Sequence, residues 1–240
     1  MDRGLYIAAS GMLAEQTRQD QIANDLANAS TPGYKADRSA QEAFGSLLLQ
    51  NTETGSTVGP LGLGTRIGRI VTDMTPAALK QTNEPLDLGL DGQGFFAVQT
   101  PTGRRFTRDG QLVVDGTGRL ATATGYPVLD DAGRTIQIGG ADGVTVGADG
   151  TITRGGRTVA RLAVVSLTNP VKQGDTLFDG TAGPRPAQTA VRQGYLEGSG
   201  IDPTTAMVDM IASLRTFQSD QKAITTIDET LQKGISAGGV

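Results

Sequence analysis

The chain contains no cysteine, no histidine and no tryptophan among its 240 residues. Thiol nucleophiles, imidazole bases, serine–histidine triads and zinc, haem or iron–sulfur ligation through those side chains are therefore excluded. Aromatic residues make up only 4%, too few for one large, densely packed core. Basic side chains number 21 against 25 acidic ones, a formal charge of −4. With no surplus of positive charge to neutralise a phosphate backbone or an anionic bilayer, nucleic acid is not an expected partner. No run approaches the roughly 20 apolar residues of a membrane span, so membrane insertion is not expected. The opening MDRGLYIAASGMLAEQ breaks its apolar run at Ser10 and Gly11 and shows no small-residue cleavage site, so no cleaved signal peptide is expected. The missing cysteine leaves the redox compartment open.

Glycine is abundant, 34 residues, and unevenly placed, with 27 of them in 55–200. Residues 2–28 have no proline and carry Leu5, Ala8, Ala9, Met12, Leu13, Ile22, Ala23 and Leu26 at helical spacing, which predicts a helix ending where Pro32 and Gly33 follow. A second helix is expected from Asp202-Pro203, a capping carboxylate before proline at the first helical position, to about residue 234. Its stripe holds Met207, Met210, Ile211, Leu214, Phe217, Ile224, Ile227 and Leu231, close to a heptad pattern. Roughly 30 residues at 1.5 Å each make a rod of about 45 Å.

Between the helices, short runs rich in Val, Ile, Phe and Thr alternate with Asp-Gly and related turns, the pattern of antiparallel hairpins. Strands are expected at 66–72, 94–99, 111–114, 126–129, 135–138, 144–146, 151–153 and 158–167. The fold class is thus α+β: long N- and C-terminal helices packed as a coiled-coil-like pair, with a central Gly-rich, mainly antiparallel β domain. The expected division is 1–35 for the first helix and its turn, 36–65 for a partly extended connector, 66–200 for the β domain and 201–240 for the second helix.

Candidate chemistry dissolves on inspection of its context. Gly92-Gln93-Gly94-Phe95-Phe96-Ala97 fits a loose dinucleotide pattern but runs into a strand-like segment where a phosphate-binding turn needs a helix. Residues 59–66 have phosphate-loop glycine spacing yet end on Thr65-Arg66, without the lysine. The Asp-Gly pairs lack the spacing of calcium loops, and Asp130-Asp131 lies in a turn signal rather than facing a second carboxylate. No catalytic residue, cofactor site or metal site is assigned. What stands out is structural. Two end helices, their apolar seams interrupted by Glu15, Gln16 and Gln19 and by Gln218, Gln221 and Asp228, make a poor isolated core and point to burial against other subunits. The plainer alternative is that the stripes close an intramolecular hairpin. A secreted carbohydrate-active or carbohydrate-binding β protein and a free adhesin-like module are the competing classes.

Three sets of residues carry a resemblance. Leu26-Ala27-Asn28-Ala29-Ser30-Thr31-Pro32-Gly33-Tyr34-Lys35 resembles the signature after the first helix of bacterial flagellar rod and hook proteins. Gly92-Gln93-Gly94-Phe95-Phe96-Ala97-Val98, with Phe106-Thr107-Arg108-Asp109-Gly110, is similar to the paired motif of that family's central domain. Gln193-Gly194-Tyr195-Leu196-Glu197-Gly198-Ser199, with Met207-Val208-Asp209-Met210-Ile211 and Gln221-Lys222-Ala223-Ile224, resembles its C-terminal module. Gly200 and Phe217 depart from the usual Asn and Tyr. The resemblance implies a non-enzymatic structural subunit of the basal-body rod. It further implies passage through the flagellar type III export apparatus, residence outside the inner membrane, and polymerisation with itself and other rod subunits into a torque-transmitting axial tube. The length excludes a full hook subunit. Met1-Asp2-Arg3, Leu5-Tyr6 and Arg215-Thr216-Phe217-Gln218 resemble the proximal-rod branch, and 228–233 the distal; the proximal branch is preferred. The assembly interface is then expected at Leu5, Met12, Ile22, Leu26, Met210, Ile211, Leu214, Phe217, Ile224 and Leu231, and the signature turn at Asn28, Pro32 and Gly33.

Overall fold

A computed structural model describes residues 3–43, 45–50, 57–62, 64–174 and 176–238. The fold is α+β, with two helices at the chain ends and seventeen strands between them among the described residues. The helices are α1 (Arg3–Ala27) and α2 (Pro203–Gly238). Two compact units divide the chain: Met1–Ala27 with Asp37–Val71 and Asp202–Val240, and Asn28–Ala36 with Thr72–Ile201. Neither described helix is long and apolar enough to cross a membrane.

In the first unit α1 and α2 lie side by side and antiparallel: Gly4 abuts Ile227, Gly11 abuts Asp220, and Glu15 meets Ser213. Pro203 opens α2 without wasting a donor, and Asp202 caps it by accepting from Thr204 N (3.1 Å) and the Thr205 hydroxyl (2.6 Å). Those donors hold the Asp202 carboxyl below its usual range. Most of the expected connector is paired strand. Asp37–Ala43 pairs with Thr65–Thr72, and Ser46–Gln50 runs antiparallel to Thr57–Gly62. The expected boundary at 66 therefore falls inside a strand. Residues 44, 51–56 and 63 of the connector lie outside the described residues, as do Met1 and Asp2.

The second unit holds the larger apolar core, with Leu88, Leu90, Phe96, Val98, Leu120 and Val128 all buried. Four antiparallel strands, Phe95–Thr100, Gly103–Thr107, Val164–Lys172 and Leu177–Gly183, close on one another. They enclose Phe95 and Phe178, whose rings are 5.3 Å apart and tilted by 57°. The two-residue period of the strand puts Phe95 and Ala97 in this cluster and turns Phe96 and Val98 into the larger core on the opposite face. Asp115 shows how the Asp-containing turns hold: its carboxylate accepts from Thr117 N, the Thr117 hydroxyl and Arg119 N at 2.7 to 2.9 Å, an Asx-type turn. Gly110 is required by proximity, since a Cβ there would lie 1.7 Å from the Leu88 carbonyl oxygen. Segments 126–129 and 135–138, expected as strands, are joined only by single bridges such as Val98–Val128 and Arg119–Gln137. The run 158–167 splits into Arg157–Arg161 and the start of Val164–Lys172.

Candidate assembly interface and signature turn

Helix periodicity decides which of the ten expected interface residues face the partner helix. Along α1 the half-buried or buried residues Leu5, Ala8, Met12, Glu15, Gln19, Ile22 and Leu26 recur at alternating three and four positions. Along α2 the same spacing runs through Ala206, Met210, Ser213, Phe217, Asp220, Ile224, Ile227 and Leu231. Eight of the ten, Leu5, Met12, Ile22, Leu26, Met210, Phe217, Ile224 and Leu231, belong to these two lines. Ile211 and Leu214 do not: they are 53% and 44% exposed, beside Met207 and Val208 at 53% and 61%. On α1, Tyr6 and Leu13 are also exposed, at 58% and 66%. The pair thus has an inner seam and a separate outer apolar face.

Polar residues occur within the seam as well as around it. Glu15 is buried and accepts a 2.5 Å hydrogen bond from the Ser213 hydroxyl, and its carboxylate lies 3.9 Å from Arg18. The Gln19 side-chain nitrogen is buried without an acceptor among the described residues. Gln16, Gln218, Gln221 and Asp228, expected as interruptions of the seams, lie on the exposed surface instead. The helical step carries them away from the positions three and four apart that define the contact.

Past α1 the chain turns tightly. Thr31 N donates to Asn28 O (3.1 Å), the Thr31 hydroxyl to Asn28 Oδ1 (3.2 Å), and Tyr34 N to Thr31 O (3.4 Å). Pro32 fixes its own φ at the crest. Gly33 has φ +66°, and a Cβ there would lie 2.4 Å from the Arg108 carbonyl carbon, so both backbone conformation and contact demand glycine. Its N–H donates to Glu197 O at 3.0 Å.

The turn leads into a buried ion cluster. Glu197 Oε1 accepts from Lys35 Nζ (2.6 Å) and Ala77 N (2.8 Å), and Oε2 from Arg108 Nη1 (2.7 Å). Lys35 Nζ also donates to Thr75 O (2.6 Å), and Arg108 Nη2 to Gly92 O (2.8 Å). Arg108 lies over the Phe95 ring at 5.4 Å. Lys172 Nζ sits 4.0 Å above the Tyr34 ring and donates to Lys35 O at 2.9 Å. All three ionic side chains of the cluster are about 1% exposed. Burial pushes the Lys35 ammonium below the usual lysine range, against the upward pull of its Glu197 partner. One carboxylate thus serves two cations, Lys35 Nζ and Arg108 Nη2 each reach a backbone carbonyl as well, and Arg108 Nε has no partner among the described residues.

Lys35, Arg108 and Glu197 were not among the expected site residues. Each lies in a different one of the three resembling segments, and Gly92, which takes an Arg108 proton, opens the central one. The signal available in the sequence was the presence of Lys, Arg and Glu inside otherwise apolar, glycine-rich motifs; nothing in their spacing, 73 and 89 residues apart, paired them. The arrangement has the chemistry of a clasp. Its charged atoms face one another and backbone carbonyls.

Comparison with known proteins follows the same three segments. Residues 5–35 match the family model described as "Flagella basal body rod protein", residues 89–154 "Flagellar hook protein FlgE/F/G D1 domain", and residues 192–237 "Flagellar basal body rod FlgEFG protein C-terminal". The chain is 35% identical to the flagellar basal-body rod protein FlgG of Bacillus subtilis, covering 97% of this chain and 98% of that one. It is 36% identical to the flagellar basal-body rod protein FlgF of Escherichia coli (95% of each) and 32% identical to FlgF of Caulobacter vibrioides (100% and 99%). With these relatives matched along nearly the whole chain, and the signature turn inside one of the family matches, this chain belongs to the flagellar basal-body rod protein family.

Proposed function

We propose that this chain is a structural subunit of the flagellar basal-body rod and polymerises through its terminal helices into part of the torque-transmitting axial tube. Family membership makes it a structural protein rather than an enzyme, sets the carbohydrate-directed alternative aside, and makes other rod components its partners. The observation that carries the assembly reading is the outer apolar face of the helix pair. Met207, Val208, Ile211 and Leu214 are exposed together over two turns of α2, and a face of that kind on a subunit is normally covered by another chain. In this reading the inner seam makes α1 and α2 a coiled-coil-like pair, the outer face joins one pair to the next, and the β domain packs outside that tube and supplies lateral contacts.

The proposal extends to location and route. The subunit resides in the basal body outside the inner membrane, reaches it through the flagellar export apparatus, and uses no cofactor or nucleic acid. Its opening residues and the 215–218 segment favour the proximal-rod branch. Electron microscopy of basal bodies, from a strain whose own copy is replaced by Ile211→Asp, tests the assembly reading. Rods interrupted at this subunit, with the variant soluble and folded, support it; normal rods and motility refute it.

A further inference from the structure

Five of the ten arginines of the β unit end on a carboxylate: Arg105 lies near Asp179 (3.6 Å), Arg108 by Glu197, Arg119 by Asp115 (2.8 Å), Arg134 by Asp130 (2.9 Å) and Arg192 by Asp91 (2.7 Å). Arg104, Arg161 and Arg185 form no ion pair among the described residues, and all three line one cleft of about 320 Å³. Two of them crowd a single oxygen. Arg161 Nε donates to Asp149 O at 3.2 Å, and Arg185 Nη1 donates to that same carbonyl. Arg185 Nη2 donates to Ala148 O (2.9 Å) and Thr189 O (2.8 Å). Burial, then the neighbouring Arg161 charge, lowers the Arg185 guanidinium's proton affinity despite Asp149. Backbone carbonyls thus hold two like charges side by side, and Asp149 acts on both through space without forming an ion pair with either among the described residues.

The acids nearby offset this in part. Asp149 spends its carboxylate on Thr151 N (3.1 Å) and the Thr151 hydroxyl (2.6 Å). Asp130, on the cleft wall, is chelated by Arg134 through Nε (3.0 Å) and Nη2 (2.9 Å) and by two backbone N–H groups. Asp131 is the remaining acid of the lining, against three guanidinium groups. The rest of the wall includes Ala97, Leu129, Ala163, Val165 and Pro184. In a chain whose net charge is −4, a cleft with three guanidiniums and an apolar floor complements the acidic excess that a second copy carries.

We propose that this cleft receives an acidic peptide segment of a neighbouring subunit, a carboxylate seated among Arg104, Arg161 and Arg185 with its apolar neighbours on the floor. The neighbour's identity as a rod component rests on the proposed function; the chemistry of the cleft does not. Planar guanidinium forks suit carboxylates bidentately, and charge complementarity of this kind fixes the register between partners. The apolar floor has nothing to offer a bare phosphate, which is why a peptide is the committed occupant.

The test uses the full chain and the capped pentapeptide Ac-Glu-Leu-Glu-Leu-Glu-NH2, titrated by calorimetry at low salt, with the Gln-for-Glu analogue and inorganic phosphate as comparison arms. The double variant Arg104→Gln/Arg161→Gln removes two exposed guanidiniums and leaves Arg185 to its carbonyls. The acidic peptide should bind, weaken with added salt, and lose at least about tenfold in affinity on the double variant. The Gln analogue should lose as much on the unaltered protein. Should the double variant fail to fold, Arg104→Gln alone, at an exposed residue, is expected to lose about threefold. No binding of the acidic peptide, equal binding by the variant or the Gln analogue, or phosphate binding as tightly as the peptide would each overturn the proposal. None of these outcomes bears on rod incorporation, which microscopy of the Ile211→Asp strain reads separately.

Discussion

Replacing Glu197 by Gln changes one oxygen for an NH2 group and removes the carboxylate that hydrogen-bonds two buried cations. Shape is kept, so packing loss is not the issue. The Lys35 ammonium keeps at best its 2.6 Å bond to Thr75 O and one to the amide oxygen, and Arg108 loses its 2.7 Å carboxylate contact. Breaking a buried ion pair by removing one partner costs about 3–5 kcal/mol, because the other charge is left unanswered in a medium that cannot solvate it. Two cations face that penalty here, but Lys35 can shed its proton. We therefore expect a loss of about 3–5 kcal/mol, or a fall of roughly 10–20 °C in the melting temperature of a unit this size.

The proton gives the prediction a signature that a merely loosened core would lack. A lysine whose folded-state pKa lies below its unfolded value binds fewer protons when folded, so stability rises as pH increases between the two values. That direction already holds for Lys35 with Glu197 in place. Removing the carboxylate lowers the folded value further and steepens the rise, up to a limit of about 1.4 kcal/mol per pH unit for one proton. Urea unfolding followed by strand circular dichroism from pH 6.5 to 9.5 measures both quantities. The exposed pair Arg192–Asp91 supplies the control, and Asp91→Asn should cost no more than about 1 kcal/mol. If Glu197→Gln costs as little as the control, or its stability does not climb with pH, the cluster is not the clasp described above.

Gly33→Ala must force a β-carbon within 2.4 Å of the Arg108 backbone at positive φ. It should destabilise the β unit by at least about 2 kcal/mol in the same urea assay. A fragment of residues 72–201 should unfold at a lower urea midpoint than one of 28–201, because only the longer carries Lys35 and the Gly33 bond to Glu197; equal midpoints would return the β domain to the independence its turns and strands suggest. Phe217→Asp places a charge on the α1–α2 seam and should lower helical thermal stability by about 2–4 kcal/mol. Leu214→Asp, at an exposed position, should leave that stability within about 0.5 kcal/mol and still block rod incorporation.

Periodicity made the helices legible in the sequence because α-helical spacing and capping act locally. The first was expected over 2–28 and spans Arg3–Ala27; the second was expected to end near 234 and ends at Gly238. Strands were legible where they carry branched and aromatic residues, as at Phe95–Thr100, Val144–Val146 and Thr151–Arg154. They were missed where glycine or charge dilutes that signal. Gly103–Thr107 and Leu177–Gly183 both belong to the closed set of four strands, yet each includes glycine and polar residues that read as loop. Each forms a hairpin with the strand just before it, and the two hairpins are joined by pairs such as Phe178–Phe106, which no local window contains.

The outcome was similar for the functional residues. The ten apolar positions came from one stripe rule, which finds amphipathic residues but cannot separate a seam from a face only about 60° around the same helix. Leu214 and Phe217, three residues apart, fall on opposite sides of that distinction. The signature turn was placed by its proline and glycine, while the reason for it lay in long-range electrostatics. Lys35 is an ordinary surface residue by composition and becomes a buried one only because Glu197, 162 positions later, meets it together with Arg108. Burying two cations on one anion is poor economy for stability alone, since well-packed apolar residues of the same volume commonly do as well or better. What such a cluster provides is exclusivity: Lys35 cannot be buried elsewhere without its anion, so the turn has one acceptable seat on the β unit. For the signature turn, a seat that admits only one arrangement of these three charges is worth more than a seat that merely binds tightly.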